Sequence, residues 1–232
     1  MTILRHLPWR ALVAVAIFAA IAGSSDPAIA DKKPRDERSY LLSLGGHVLV
    51  ADAETCDRDI DLVGCSRGWP AAGLDIGVQR FVEPTLGMGG RFAMTTGLDA
   101  SGYAGQPHRQ WLLRLVGEAR IEDGGEESGG SLGIGVGAAL LLDRMSVAPA
   151  GSIPGTPYEL EDRKGADAGP LLSVNAGYDF VVYDRLLLGF VLRAEVAYLL
   201  GVNPIDLGGG SQAFSSGFMP LVELGMRMSM SQ

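Results

Sequence analysis

Charged residues recur at alternate positions of otherwise apolar runs: Arg91, Arg114, Arg120, Arg193 and Arg227, with Asp75, Glu118, Asp143, Asp179, Glu195 and Glu223. Two chemistries suit such a set. Carboxylates brought together could do general acid–base work, whereas carboxylates and guanidinium groups in similar numbers favour ion pairing. An arginine beside a carboxylate keeps it ionised, which withholds the proton that an acid catalyst must give. The set therefore points to ion pairs, either as a structural plug or as the lining of a gated polar conduit, with the plug favoured.

The remaining candidates are weaker. His47 is the only histidine inside a periodic run, and Ser43 lies four residues before it. A lipid-directed membrane enzyme would need a histidine with a serine or an acid at hand, but two strand steps separate this pair, so a satisfied interior histidine is expected. The stretch GSLGIGVGA places Gly133, Gly135 and Gly137 without the full dinucleotide spacing or an acidic partner in a βαβ unit. No cofactor follows from it. The acidic stretches DRDID and ELEDRKGAD lack the ligand spacing of a dedicated calcium site.

Cys56 and Cys65 form one close pair in ETCDRDIDLVGCSRGW, which in an exported chain predicts a disulfide. A zinc site would need further ligands nearby. A net charge of −8, with only Lys32, Lys33 and Lys164 as lysines, gives no electrostatic support for nucleic-acid binding.

The elements that must position these charges read as strands. In WLLRLVGEARIED, starting at Trp111, period two puts Leu112, Arg114, Val116, Glu118, Arg120 and Glu122 on one face. Trp111, Leu113, Leu115, Gly117, Ala119 and Ile121 take the other. The same alternation recurs in YLLSLGGHVLV, AGLDIGVQRF, MGGRFAMTTGLD, GSLGIGVGAALLLD, PLLSVNAGYDF, LLLGFVLRAEVAYLL and GFMPLVELGMRMSM. That makes eight strands of about ten residues or more, the length and even count of a membrane barrel. Val181 to Val202 could pass for a membrane helix, but a helix would carry Arg193 and Glu195 near its middle on different faces, costing several kcal/mol. On a strand both point inward.

A soluble barrel also alternates, with its polar face in water. Here the polar face is glycine, alanine and serine with balanced charges, which suits a narrow interior, and the apolar face is almost uninterrupted. The leucines are therefore assigned to lipid. The connections after strands one, three, five and seven (52–67, 100–108, 146–166 and 203–213) are long. Those after strands two, four and six (EPT, GGEESGG and YDR) are shorter, an asymmetry of outer-membrane barrels. Tyr40, Trp69, Phe81, Trp111, Phe180, Tyr198 and Phe218 lie near strand ends, as interfacial girdles do.

Arg5, His6 and Arg10 precede ALVAVAIFAAIAG, and Ala28-Ile29-Ala30 precedes Asp31. This order predicts a signal peptide over 1–30 cleaved after Ala30, a polar lead-in over 31–38 and a barrel domain over 39–232. The roughly 200 mature residues suit one domain.

With these features the chain resembles the small eight-stranded outer-membrane β-barrels of Gram-negative bacteria. The resemblance implies an all-β, eight-stranded antiparallel up-and-down transmembrane barrel, inserted from the periplasm by the barrel assembly machinery into outer-membrane lipids. It departs at the C-terminus, where such barrels usually carry an aromatic residue and this chain ends RMSMSQ. The function expected is structural or surface-interacting, with a surface ligand for the long loops and no catalytic role. The alternatives are a soluble periplasmic or secreted ligand-binding barrel, a narrow channel and a lipid-directed enzyme.

Overall fold

The computed structural model describes residues 40–50, 71–96, 108–123, 128–147, 159, 161–183, 186–203, 205–208, 211–213 and 217–231. The N-terminal segment, Trp69, Cys56 and Cys65 lie outside the described residues, as does the end of the third strand reading at Leu98 and Asp99. The strands are β1 Tyr40–Val50, β2 Ala71–Glu83, β3 Leu86–Thr96, β4 His108–Glu122, β5 Ser128–Val147, β6 Glu161–Tyr183 and β7 Leu186–Asn203. After them come β8 Ile205–Gly208, β9 Ser211–Ala213 and β10 Gly217–Ser231. The eight long strands close in the order β1-β10-β7-β6-β5-β4-β3-β2, each antiparallel to its neighbours. Closure leaves no edge strand among the eight of the ring, which is what a sheet surrounded by hydrocarbon requires.

The register fixes the barrel's shape. Stepping across partners from Pro220 passes through Val196, Leu172, Val136, Gly117, Gly90, Val78 and Leu42, and returns to β10 at Met230. The return point is ten residues from the start, so the strands are strongly staggered. A closed sheet accommodates stagger by tilting its strands, by roughly 35–45° to the axis. Every residue on this circuit belongs to the outward set.

Alternation sends the two sets where the sequence assigned them. Leu115, Leu132, Ile134, Val136 and Leu172 are 64–66% exposed on the outside, and among the described residues no apolar element covers them. A charged inside and an apolar outside invert the soluble arrangement, and this exterior suits lipid. Tyr198 and Phe218 meet at a tilt with their ring centres 4.8 Å apart near one rim, and Tyr178, Phe180 and Phe190 form edge contacts toward the other. Phe81 departs from the girdle assignment, since it falls in the inward set of β2, between outward Arg80 and Val82.

Two loop assignments are corrected. The connection placed at 146–166 begins and ends as strand, because β5 runs to Val147 and β6 begins at Glu161, with Val147 opposite Glu161. Its β6 side, EDRKG, has no apolar side chain, so hydrophobic alternation could not reveal it. An ion pair joins the two strands of this ribbon, Arg144 donating to Asp162 through Nε at 2.8 Å, while Arg163 pairs with Glu161 along β6 at 3.0 Å. The connection at 203–213 contains the small β8–β9 hairpin.

Candidate functional site

The lumen is built in layers. Its middle is a network of buried charges contributed by β1, β2, β3, β4, β7 and β10. Arg114, 1% exposed, reaches Glu195 at 2.5 Å and also pairs with Glu223. Its second terminal nitrogen donates to Thr95 at 2.9 Å and lies 3.2 Å from His47 Nε2. Arg91 donates to Glu118 at 2.9 Å through Nε and pairs with Glu195. Arg193 reaches past β10 and β1 to Asp75 on β2 and also pairs with its cross-strand neighbour Glu223, each at 3.4 Å. Ser173 donates to Glu195 at 3.1 Å. Although Arg193 and Glu195 are two residues apart, their short contacts go to other strands.

A second group lies toward the short-turn end. Asp179 accepts from Arg120 at 2.7 Å, and from Arg227 at 3.0 Å and 2.5 Å. Arg120 also pairs with Glu122 at 3.1 Å. Asp143 is buried near the opposite end, across from Gln110 in the β4–β5 register. Of the sequence candidates, Asp75, Arg91, Arg114, Glu118, Arg193, Glu195 and Glu223 meet in the central group, whereas Arg120, Asp179 and Arg227 meet below it. Thr95 and Ser173, which hydrogen-bond into the central group, were not singled out because isolated hydroxyls on a strand carry no sequence signal.

Above the central charges sits a layer that sequence reasoning missed. Leu112, Leu141, Leu171, Leu199, Met219 and Leu221 point inward and pack with Ala71, Ala139 and Ala197 into one buried cluster. They line the lumen toward the long-loop end with apolar side chains. The signal was present as leucine doublets, Leu112-Leu113, Leu141-Leu142, Leu171-Leu172 and Leu199-Leu200, in which both faces of a strand are apolar at once.

His47 sits 2.9 Å from Thr95 Oγ1 through Nε2 and 3.3 Å from Asp75 Oδ2 through Nδ1. A hydroxyl, an imidazole and a carboxylate in this order resemble a nucleophile with its base and orienting acid. The surroundings oppose catalysis. Thr95 is fully buried, and its oxygen already accepts from Arg114, so no substrate atom reaches it. The bonds fit a structural tautomer in which Nδ1–H donates to Asp75 and Nε2 accepts from Thr95. The lumen glycines have a packing role. A Cβ on Gly135 would lie 2.7 Å from the Val116 side chain, and one on Gly45 would lie 2.8 Å from the Asp75 carboxylate. The GxGxG run leaves room for side chains from the facing strand. Among the described residues, no group of three or more histidine, cysteine or acidic side chains could hold a metal ion.

No protein-family model matches the chain, and no curated protein matches it in sequence. Solved structures match in shape. Neisserial surface protein A is 13% identical with a TM-score of 0.48, covering 83% of this chain and 97% of that one. Ail, the attachment invasion locus protein of Yersinia pestis, is also 13% identical with a TM-score of 0.47, covering 84% and 99%. The outer-membrane protein OprG of Pseudomonas aeruginosa is 12% identical with a TM-score of 0.44, covering 85% and 98%.

Proposed function

We propose that the protein is an integral outer-membrane barrel with a structural or surface-interacting role and no open conduit. One observation carries this reading: a closed barrel whose exterior is apolar and whose interior is filled, first by paired charges and then by a leucine layer. Lipid surrounds the strands, and an eight-stranded ring leaves an interior that side chains just fill. The lumen charges act as a plug that holds opposite walls together. What remains for contact with other molecules is the long-loop end, so the surface ligand, if the protein has one, meets it there. The barrel assembly machinery is the inserting partner, because a closed barrel with an apolar exterior must be folded into the bilayer.

Fractionated cells, run on a denaturing gel with and without heating, test the location. A heat-modifiable band in the outer-membrane fraction is expected. Recovery in the soluble periplasm would replace this reading with that of a ligand-binding barrel. A planar-bilayer recording tests the plug, with no steady conductance expected. Large steady currents would restore the narrow channel.

A further inference from the structure

Three basic residues are consecutive cross-strand partners where the apolar exterior ends. Arg109 on β4 is opposite Arg144 on β5, and Arg144 is opposite Lys164 on β6. Like charges directly opposite one another destabilise a sheet, so such a row needs a counter-charge. Asp162 supplies one, accepting from Arg144 at 2.8 Å. Glu161 and Arg163, on the other face of the ribbon, pair with each other. Among the described side chains, Arg144 and Lys164 set two cations against the one carboxylate of Asp162. Arg144 and Lys164 are both exposed.

Two residues further along each strand, toward the middle of the barrel, comes the outward row of Trp111, Leu142 and Ala166, again consecutive partners. Below it the apolar face continues through Leu140 and Leu113. A lipid lying with its chains on this face would bring its headgroup to the cations. We propose that Arg144 and Lys164 bind the phosphate of a lipid headgroup in the leaflet at the long-loop end. The proposal rests on the membrane reading above. It adds a preference among lipids, which a merely apolar belt would not have. Basic residues held near a membrane surface attract anionic headgroups individually, and here Arg144 and Lys164 are held side by side by strand pairing.

Trp111 gives an internal reporter. The full chain carrying Trp9→Phe and Trp69→Phe retains Trp111 as its one tryptophan. It is folded into phosphatidylcholine vesicles containing either brominated-chain phosphatidic acid, which bears a phosphomonoester headgroup, or brominated phosphatidylcholine. Phosphatidic acid is expected to quench Trp111 at lower mole fraction. Arg144→Gln and Lys164→Gln should each weaken that preference by about fivefold, while quenching by brominated phosphatidylcholine persists and shows that the variants remain inserted. Asp162→Asn should strengthen it. Equal quenching by the two lipids, or a preference that survives Arg144→Gln with Lys164→Gln, overturns the proposal. Loss of the preference on adding millimolar inorganic phosphate overturns the lipid assignment in favour of a free anion. If neither lipid quenches Trp111, the membrane reading itself fails.

Discussion

A guanidinium that reaches Glu195, Glu223, Thr95 and the His47 ring at once, as that of Arg114 does, holds β1, β3, β4, β7 and β10 together from inside. The net gain from such a buried pair over an apolar substitute is small, because both charges lose hydration. Breaking it from one side is a different matter, since the orphaned charges stay buried. Glu223 is 0% exposed and Glu195 1%. Arg114→Ala should therefore cost about 3–5 kcal/mol, read from urea titration of the barrel refolded into lipid vesicles. Combining it with Glu195→Gln and Glu223→Gln should recover a part of that loss. If the single and triple variants unfold at the same urea concentration, Arg114 does not anchor the network. Strand parity gave the inward direction of each of these residues. Their partners were not readable, because Arg91 and Glu195 are 104 positions apart and meet only through closure and stagger.

At the scale of the strand, alternation does most of the work. Leu115 is 64% exposed near the centre of the outward set of β4. Leu115→Arg should destabilise the inserted barrel by about 2–4 kcal/mol, measured by folding yield in vesicles of matched thickness. Normal assembly would mean that the faces are reversed. Alternation worked for every long strand because lipid on one side and a narrow lumen on the other make opposite demands on successive residues. It failed where both sides make the same demand. The leucine layer is apolar inside and out, and the β6 side of the ribbon, EDRKG, is polar on both faces, so neither shows period two. In that ribbon a hydrogen bond from Arg144, opposed by partial desolvation and aided by the charges of Arg144 and Lys164, holds the Asp162 carboxyl below its ordinary value of 3.8. A lowered value means that the pair stabilises the ribbon above pH 3.8 and loses this contribution as pH falls through the lowered value. Amide exchange at Arg144 and Asp162 should be slower in the parent than in Asp162→Asn at neutral pH, with the difference vanishing in acid. A difference that persists unchanged in strong acid would show that the pair does not protect the ribbon.

For the whole molecule, the remaining question is which end faces out. The signal peptide proposed for 1–30 would deliver the N-terminus to the periplasm. From there β1 runs outward, and each long strand reverses the direction of the one before it. The short turns after β2, β4 and β6 then face the periplasm, and the segment between β1 and β2, with Cys56 and Cys65, faces the exterior along with the cationic row. A disulfide there would close a short loop, which the chain-entropy model credits with roughly 2.5–3 kcal/mol before native-state strain is subtracted. Because closure of the ring and the lumen network already hold the barrel, reducing this bond should loosen the loop to proteases without preventing insertion. The check is mild reduction of intact cells followed by a membrane-impermeant thiol reagent. Labelling of Cys56 and Cys65 only after reduction is the expected result. Labelling without reduction would remove the bond. Labelling only after the outer membrane is broken would invert the barrel or place the protein inside the periplasm, and would move the cationic row away from the outer leaflet with it.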